Sequence, residues 1–406
     1  MQTLDWRDHQ RLGFRQAWRL LRDNFYDAHL NNRDWESVRR KYEDMAANAP
    51  DINAFRRVIE MLNGELNASH LGFTVSSQLL WTNTEWKIRT AHLGLRFDPA
   101  FAGPGLKVSD VLAEGPADTP RCRIQPGDIV ASMDGTEVHN AMDLTTVLNG
   151  SWPREILLEI RGSNATRKVS VPTISYAEAR ELAHKIWMRN NRKRVNALSQ
   201  DRLGYLQIER MTLPSLRQFE QEVYAEGVGK DGLVIDVRNN PGGFIADRLL
   251  AILCHPYHAM TIPRGGELSY PSGYLGRVVY TKPIVVLCNQ NSASNAEIFS
   301  RAIKTLKRGK LVGVPTYGAV ISTPDRHILD LGVLRAPDRG WFGLDDGQDM
   351  ELNGVVPDVV VWPQPGDRAA GKDAQLEKAV QVLLDAVKAD QKTKRPTPLP
   401  ASQRKK

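Results

Sequence analysis

Apolar residues recur through the first part of the chain at helical spacing. Phe14, Ala17, Trp18, Leu21 and Phe25 fall at i, i+3, i+4, i+7 and i+11, which puts them on one face of a helix. A second helix is predicted from Asp34-Trp35-Glu36. A third starts at Asp51, whose carboxylate is a good N-terminal cap, and bends or ends near Gly64. His70 lies just beyond that pattern, ahead of a strand candidate at Leu71–Val75. From residue 203 the pattern changes to strand-length apolar runs at Leu203–Ile208, Gly232–Val237, Pro283–Cys288 and Lys310–Val314. Helical stretches at 213–226, 246–253 and 296–307 separate them. Strands alternating with helices require crossover connections, and therefore a largely parallel sheet with its functional residues at the strand ends.

Composition narrows this picture. With 406 residues, 41% hydrophobic and 25% charged, the chain has the size and make-up of an ordinary globular protein of two or three domains. Its longest apolar runs are far short of a membrane span. Met1–Asp8 passes straight into a charged amphipathic helix without a signal-peptide pattern, so a cytoplasmic location is expected. A mature or truncated form of a periplasmic or secreted protein would look the same. The net charge of +7 is concentrated in a Pro/Lys/Arg-rich segment, 388–406, which has seven basic residues and one acid. We read that segment as a solvated, disordered tail; no basic face for nucleic acid is left on the fold. Cys122, Cys254 and Cys288 have no metal-ligand spacing, and no other metal or phosphate motif occurs, so neither metal nor cofactor is expected.

Between about 87 and 175 the texture is of short strands and Gly/Pro turns, with a short helix near 141–148. The succession "HLGLRF" (92–97), "GPA…IQPGDIVASMDG" and "EILLEIRG" resembles a PDZ domain. That resemblance implies a loop at Leu93, Gly94 and Leu95 offering backbone N–H groups to a peptide carboxylate, beside a groove that accepts an added strand. A charged helical connector follows over about 177–199. Its basic stretch Asn190–Arg194 reads as a solvated face.

Two turns in the second half carry the candidate chemistry. "DVRNNPGGF" (236–244) ends a strand in a Gly-rich turn whose backbone can point N–H groups into a site, as an oxyanion hole requires. "NQNSASNAEIF" (289–299) places two serines on a strand-to-helix turn. Together these stretches resemble the S41 peptidase family, the tail-specific and tricorn proteases. The resemblance selects Ser294, three residues before the acidic Glu297, as nucleophile, and leaves Ser292 as a turn hydroxyl. It names the N–H of Asn295 and that of Gly243, or its neighbour Gly242, as oxyanion donors. Tail-specific relatives draw their base from a lysine in a "TFGKG" turn; this chain reads Thr316-Tyr317-Gly318-Ala319-Val320, with alanine in place of the lysine. The tricorn branch uses a histidine from the helical segment and a glutamate near the C-terminus. "LNASHLGF" supplies Ser69 and His70, and "DMELNGVVPD" supplies Glu351.

The resemblance extends over residues 12–386 and implies a multidomain α/β protein. Its parts are an N-terminal helical domain (1–86), a PDZ-like β-rich domain (87–175) and a ClpP/crotonase-like α/β catalytic core with a mainly parallel sheet (176–387). The basic tail (388–406) follows. It implies a serine endopeptidase acting on short or unfolded polypeptides, with the possibility of homo-oligomers, and with Glu351 acting on His70 through the Ser69 hydroxyl. Tricorn's propellers have no counterpart repeat here, and the loop Met260–Gly265 lacks the acid that favours basic substrates there. Two other readings compete. One is a catalytically silent peptide-binding protein using the PDZ groove. The other is a thiol hydrolase using Cys254 with His255 or His258, disfavoured because that cysteine lies inside an apolar run.

Overall fold

The computed structural model describes residues 5–79, 89–150, 153–162, 165–256, 258–266, 279–367, 370–393, 396–399 and 401–403. They form two compact units. One combines Met1–Trp81 with Arg192–Lys406, and the other is Thr82–Asn191. In the first unit, helices Trp6–Asn24, Trp35–Ala47 and Ile52–Gly64 form the N-terminal layer. Asp5, Asp34 and Asp51 cap them, each accepting a backbone N–H of the first turn. Their apolar faces close on one another and on Ile328, Leu331 and Leu334. Ile328 and Leu334 belong to, and Leu331 lies in a turn of, an antiparallel sheet of three strands, ordered Gly72–Val75, Gly332–Arg335, Asp325–Ile328.

The second sheet of this unit has five strands, all parallel. Their order is Val359–Val360, Lys310–Gly313, Ile284–Cys288, Gly232–Asp236 and Leu203–Gln207. Ile284–Cys288 and Gly232–Asp236 are buried at every residue, as interior strands of a sheet covered on both faces must be. Helices Leu213–Gly227, Ala246–Leu253 and Asn295–Thr305 share a core with Ile235, Val237, Val286 and Cys288. Helix Ala374–Lys392 packs on the same strands, with Leu383 against Gly232. It runs on to Lys392, so the helix takes in the first residues of the segment read as a tail. Val387 on its buried face and the Asp385–Lys388 ion pair carry it past that point.

The register places Asp236 beside Leu287. The glycine turn and the serine turn therefore leave the sheet side by side at its carboxyl edge.

The Thr82–Asn191 unit is built on an antiparallel sheet. Its order is Leu95–Phe97, Leu106–Val111, Ile129–Met133, Glu155–Arg161, Thr166–Pro172, with Thr136–Glu137 pairing to Ile129–Met133. Alternate residues Ile156, Leu158 and Ile160 fill its core. The expected short helix is a single turn, Thr145–Leu148. Helix Tyr176–Ser199 begins in this unit and ends in the other. Among the described residues no helix is long and apolar enough to cross a membrane.

Candidate active site

Ser294 sits at the N-terminus of helix Asn295–Thr305 with φ 55° and ψ −123°, a positive φ that serine rarely adopts. A strained residue on a strand-to-helix turn projects its side chain outward, the geometry that nucleophilic serines use on other α/β sheets. Three sets of bonds hold it there. The Ala293 N–H donates to the Asn240 carbonyl at 2.9 Å, tying the two turns together. Asn289 Oδ1 accepts the Asn239 N–H at 2.9 Å. The Ser294 N–H donates to Glu297 Oε1 at 3.0 Å. Ser292 is buried, and its hydroxyl donates to the Val237 carbonyl at 2.8 Å, the turn role expected for it.

Gly242 and Gly243 have different jobs. The Gly242 N–H donates to Asn240 Oδ1 at 2.8 Å, so that donor is already engaged. What this position supplies is space: a Cβ on Gly242 would stand 2.5 Å from Ser294 Cβ. The N–H groups of Gly243 and Asn295 have no acceptor among the described residues. The Asn295 side chain is not idle, since its Oδ1 accepts the Ala246 N–H at 2.8 Å and secures the helix that follows the glycine turn.

The second half of the site is a relay through Ser69. Its hydroxyl donates to Glu351 Oε2 at 3.0 Å and lies 2.7 Å from His70 Nδ1, while its N–H donates to Glu351 Oε1 at 2.5 Å. A hydroxyl has one proton, and here it goes to the carboxylate. Nδ1 of His70 must then be the donor to Ser69 Oγ, which leaves Nε2 with its lone pair. His70 has φ 60°, a second strained residue in the site. Burial lowers its pKa below the usual 6.5. The Arg335 charge lowers it further and the Glu351 charge opposes both.

One loop binds the two halves. Glu297 is fully buried; its Oε1 accepts the Ala319 N–H at 2.8 Å, and its Oε2 accepts the Gly318 N–H at 2.7 Å and the Thr316 hydroxyl at 2.5 Å. Burial raises the Glu297 pKa against the pull of those donors. The next N–H along, that of Val320, donates to Glu351 Oε2 at 2.8 Å. Consecutive amides thus hold the carboxylate that accepts the Ser294 N–H and the carboxylate that accepts from Ser69. This loop acts through its backbone, with Ala319 offering no basic side chain. Among the described residues no hydrogen bond joins Ser294 Oγ to His70.

Sequence reasoning did not identify Asn240, Thr316 or Val320 as parts of the site. The first is visible in the Asn-Asn-Pro-Gly-Gly run, but the Val320 amide leaves no mark on residue identity. Elsewhere, Cys254 is half-buried and its thiol is pushed up by burial, which works against thiolate chemistry. Leu93 and Leu95 point into the core of their unit, and the Gly94 N–H donates to His92 Nδ1 at 2.9 Å. Among the described residues no three or more His, Cys, Asp or Glu side chains are grouped to hold a metal ion.

Residues 202–361 match the model of peptidase family S41, and residues 8–64 that of the tricorn protease C1 domain. Tricorn protease homolog 1 of Streptomyces coelicolor is 28% identical over 98% of this chain and 37% of its own length. The tricorn protease of Thermoplasma acidophilum is 26% identical over 92% of this chain and 34% of its own. A putative tricorn-like protease C-terminal subunit of Sulfurisphaera tokodaii is 28% identical over 91% of this chain and 43% of its own. This chain thus spans less than half the length of these relatives. The crystal structure of the tricorn protease shares the fold, with a TM-score of 0.74 and 24% identity over 94% of this chain and 37% of that one. A parallel sheet that ends in a strained serine and a Gly-rich turn, and the match at both ends, lead to one conclusion: the chain carries a peptidase family S41 domain over 202–361 and a tricorn C1 domain over 8–64, and its similarity is to the tricorn-like branch.

Proposed function

We propose that the protein is a serine endopeptidase working through Ser294, His70, Ser69 and Glu351. The observation that carries this reading is the Ser69 hydroxyl bonded to both His70 Nδ1 and Glu351 Oε2, which leaves Nε2 as a base. His70 Nε2 takes the Ser294 proton as Oγ attacks a peptide carbonyl, then returns it to the leaving amine. The N–H groups of Gly243 and Asn295 hold the oxyanion of the tetrahedral intermediate. Glu351, through Ser69, keeps His70 in the Nδ1–H tautomer and stabilises the imidazolium. Water then enters by the same proton route and releases the acyl group. The substrate is an extended, short or unfolded polypeptide, and the exposed rings of Phe244 and Tyr317, next to Gly243 and Gly318, offer apolar surface for its side chains.

The Thr82–Asn191 unit serves in this reading as a PDZ-like peptide-binding module. Leu95–Phe97 is the end strand of its sheet among the described residues, the place where a peptide strand adds.

A fluorophosphonate probe tests the proposal. Labelling is lost in Ser294→Ala and slowed about 10²- to 10⁴-fold in His70→Ala, as expected for removal of a general base. Unlabelled folded wild type that still binds peptides would replace the peptidase with the silent peptide-binding reading. Labelling that ignores His70 would overturn the base assignment.

A further inference from the structure

Glu351 is buried, and its two carboxylate oxygens are taken by Ser69 and Val320. The segment that carries it is held from outside the relay. The Glu351 N–H donates to Asp349 Oδ1 at 3.0 Å. Asp349 Oδ2 in turn accepts the Tyr26 hydroxyl proton, also at 3.0 Å. Tyr26 lies directly past the first helix. Its N–H donates to the Pro337 carbonyl at 3.1 Å, and its ring lies over Gly340, where a Cβ would come within 2.7 Å of it. The chain just after Glu351 needs such restraint. Leu352 has φ 60°, strained for a leucine, and its N–H is fixed to the Gly318 carbonyl at 2.7 Å.

We propose that Tyr26 and Asp349 are positioning residues of this site: their hydrogen bond holds the Glu351 carboxylate on Ser69, and through Ser69 it sets the proton affinity of His70. The inference rests on the relay of the proposed function. It adds that the base is tuned from just past the first helix, at Tyr26, about forty-four residues before His70 in the chain. The sign follows from the charges facing His70, which are Arg335 and Glu351. Glu351 favours the imidazolium, so a Glu351 that slips from Ser69 leaves His70 easier to deprotonate and less well oriented. The Tyr26 proton is firmly held, since burial and Asp349 both raise the pKa of its hydroxyl, so it donates across the working range.

The test is the titration of the His70 imidazole by NMR, assigned with a His70→Gln variant, beside the rate of fluorophosphonate labelling. Tyr26→Phe should move the His70 titration to lower pH and slow labelling about three- to tenfold, as for loss of one hydrogen bond, with an unchanged labelled fraction and melting temperature. Asp349→Ala removes both contacts and should do more of the same. Asp349→Asn can keep both, with the Tyr26 oxygen now accepting from the amide, and should recover most of the rate. A His70 titration that does not move in Tyr26→Phe and Asp349→Ala overturns the proposal, whatever happens to the rate. Shifted titrations in Tyr26→Phe and Asp349→Ala, with a wild type that never reacts with the probe, would uphold it and sink the peptidase reading instead.

Discussion

Single residues in this site are placed by conflicts among neighbours that no residue resolves alone. His70 is pulled down in pKa by burial and by Arg335, and up by Glu351; burial and Arg335 prevail. In the proposed mechanism its neutral form is the reactive one, so labelling should rise with pH along a limb centred below 6.5. Replacing Arg335 by Gln removes a positive charge that disfavours the imidazolium. The His70 pKa should then rise toward its ordinary value and the limb move to higher pH, with the plateau above pH 8 little changed. A limb that stays put or moves to lower pH would show that the Arg335 charge is not felt at His70. At this scale the sequence was most informative for the two serines. Ser292 and Ser294 differ in spacing to Glu297, and the structure gives them different environments, one buried and spent on a carbonyl, the other strained at a helix start. It was least informative for backbone groups such as the Ala319 and Val320 amides, because any non-proline residue carries one.

Elements decide how far-apart segments meet. The helices and parallel strands were legible because their apolar periods are clean: Asp34 and Asp51 mark helix starts, and Ile284–Cys288 is an unbroken apolar strand between turns. The strands Asp325–Ile328 and Gly332–Arg335 were not anticipated, since they are short and interrupted by polar residues. Yet they matter most for His70, because Gly72–Val75, two residues beyond it, pairs with Gly332–Arg335. Gly332 lies so close to that partner that a Cβ would stand 2.3 Å from the Thr74 carbonyl oxygen. Gly332→Ala should part the two strands locally and slow labelling at least about tenfold, a loss of roughly 1.4 kcal/mol or more in transition-state stabilisation. Circular dichroism should keep the helical signal. Unchanged labelling would mean that His70 is held by the relay alone.

For the molecule as a whole, the N-terminal helices and the α/β core belong to one compact unit, although 110 residues of another unit separate them in sequence. The helical layer shares its core with Leu334 of a later strand and with Leu331 of the turn before it, so the segment that leads into His70 is also structural. Phe55 is fully buried there and meets Phe73 edge-on at 5.9 Å. Phe55→Ala should cost about 3–5 kcal/mol and lower the melting temperature of the whole unit, with labelling lost in the same thermal transition as the sheet. Labelling that melts well before the sheet would instead show the helical layer unfolding by itself.

Sequence alone determined the N-terminal helices, the alternating strands and helices of the core, the two turns at the strand ends and the residue types able to do the chemistry, because local periodicity and turn composition are written in neighbouring positions. It also removed the lysine, since Ala319 has no base to offer. Which donors remain open was a tertiary matter: Gly242 spends its N–H on Asn240, while those of Gly243 and Asn295 have no acceptor among the described residues. So were the tautomer of His70 and the brace from Tyr26 through Asp349 to Glu351. Those depend on hydrogen bonds between residues up to about three hundred positions apart, and only the folded chain brings them within 3 Å of one another.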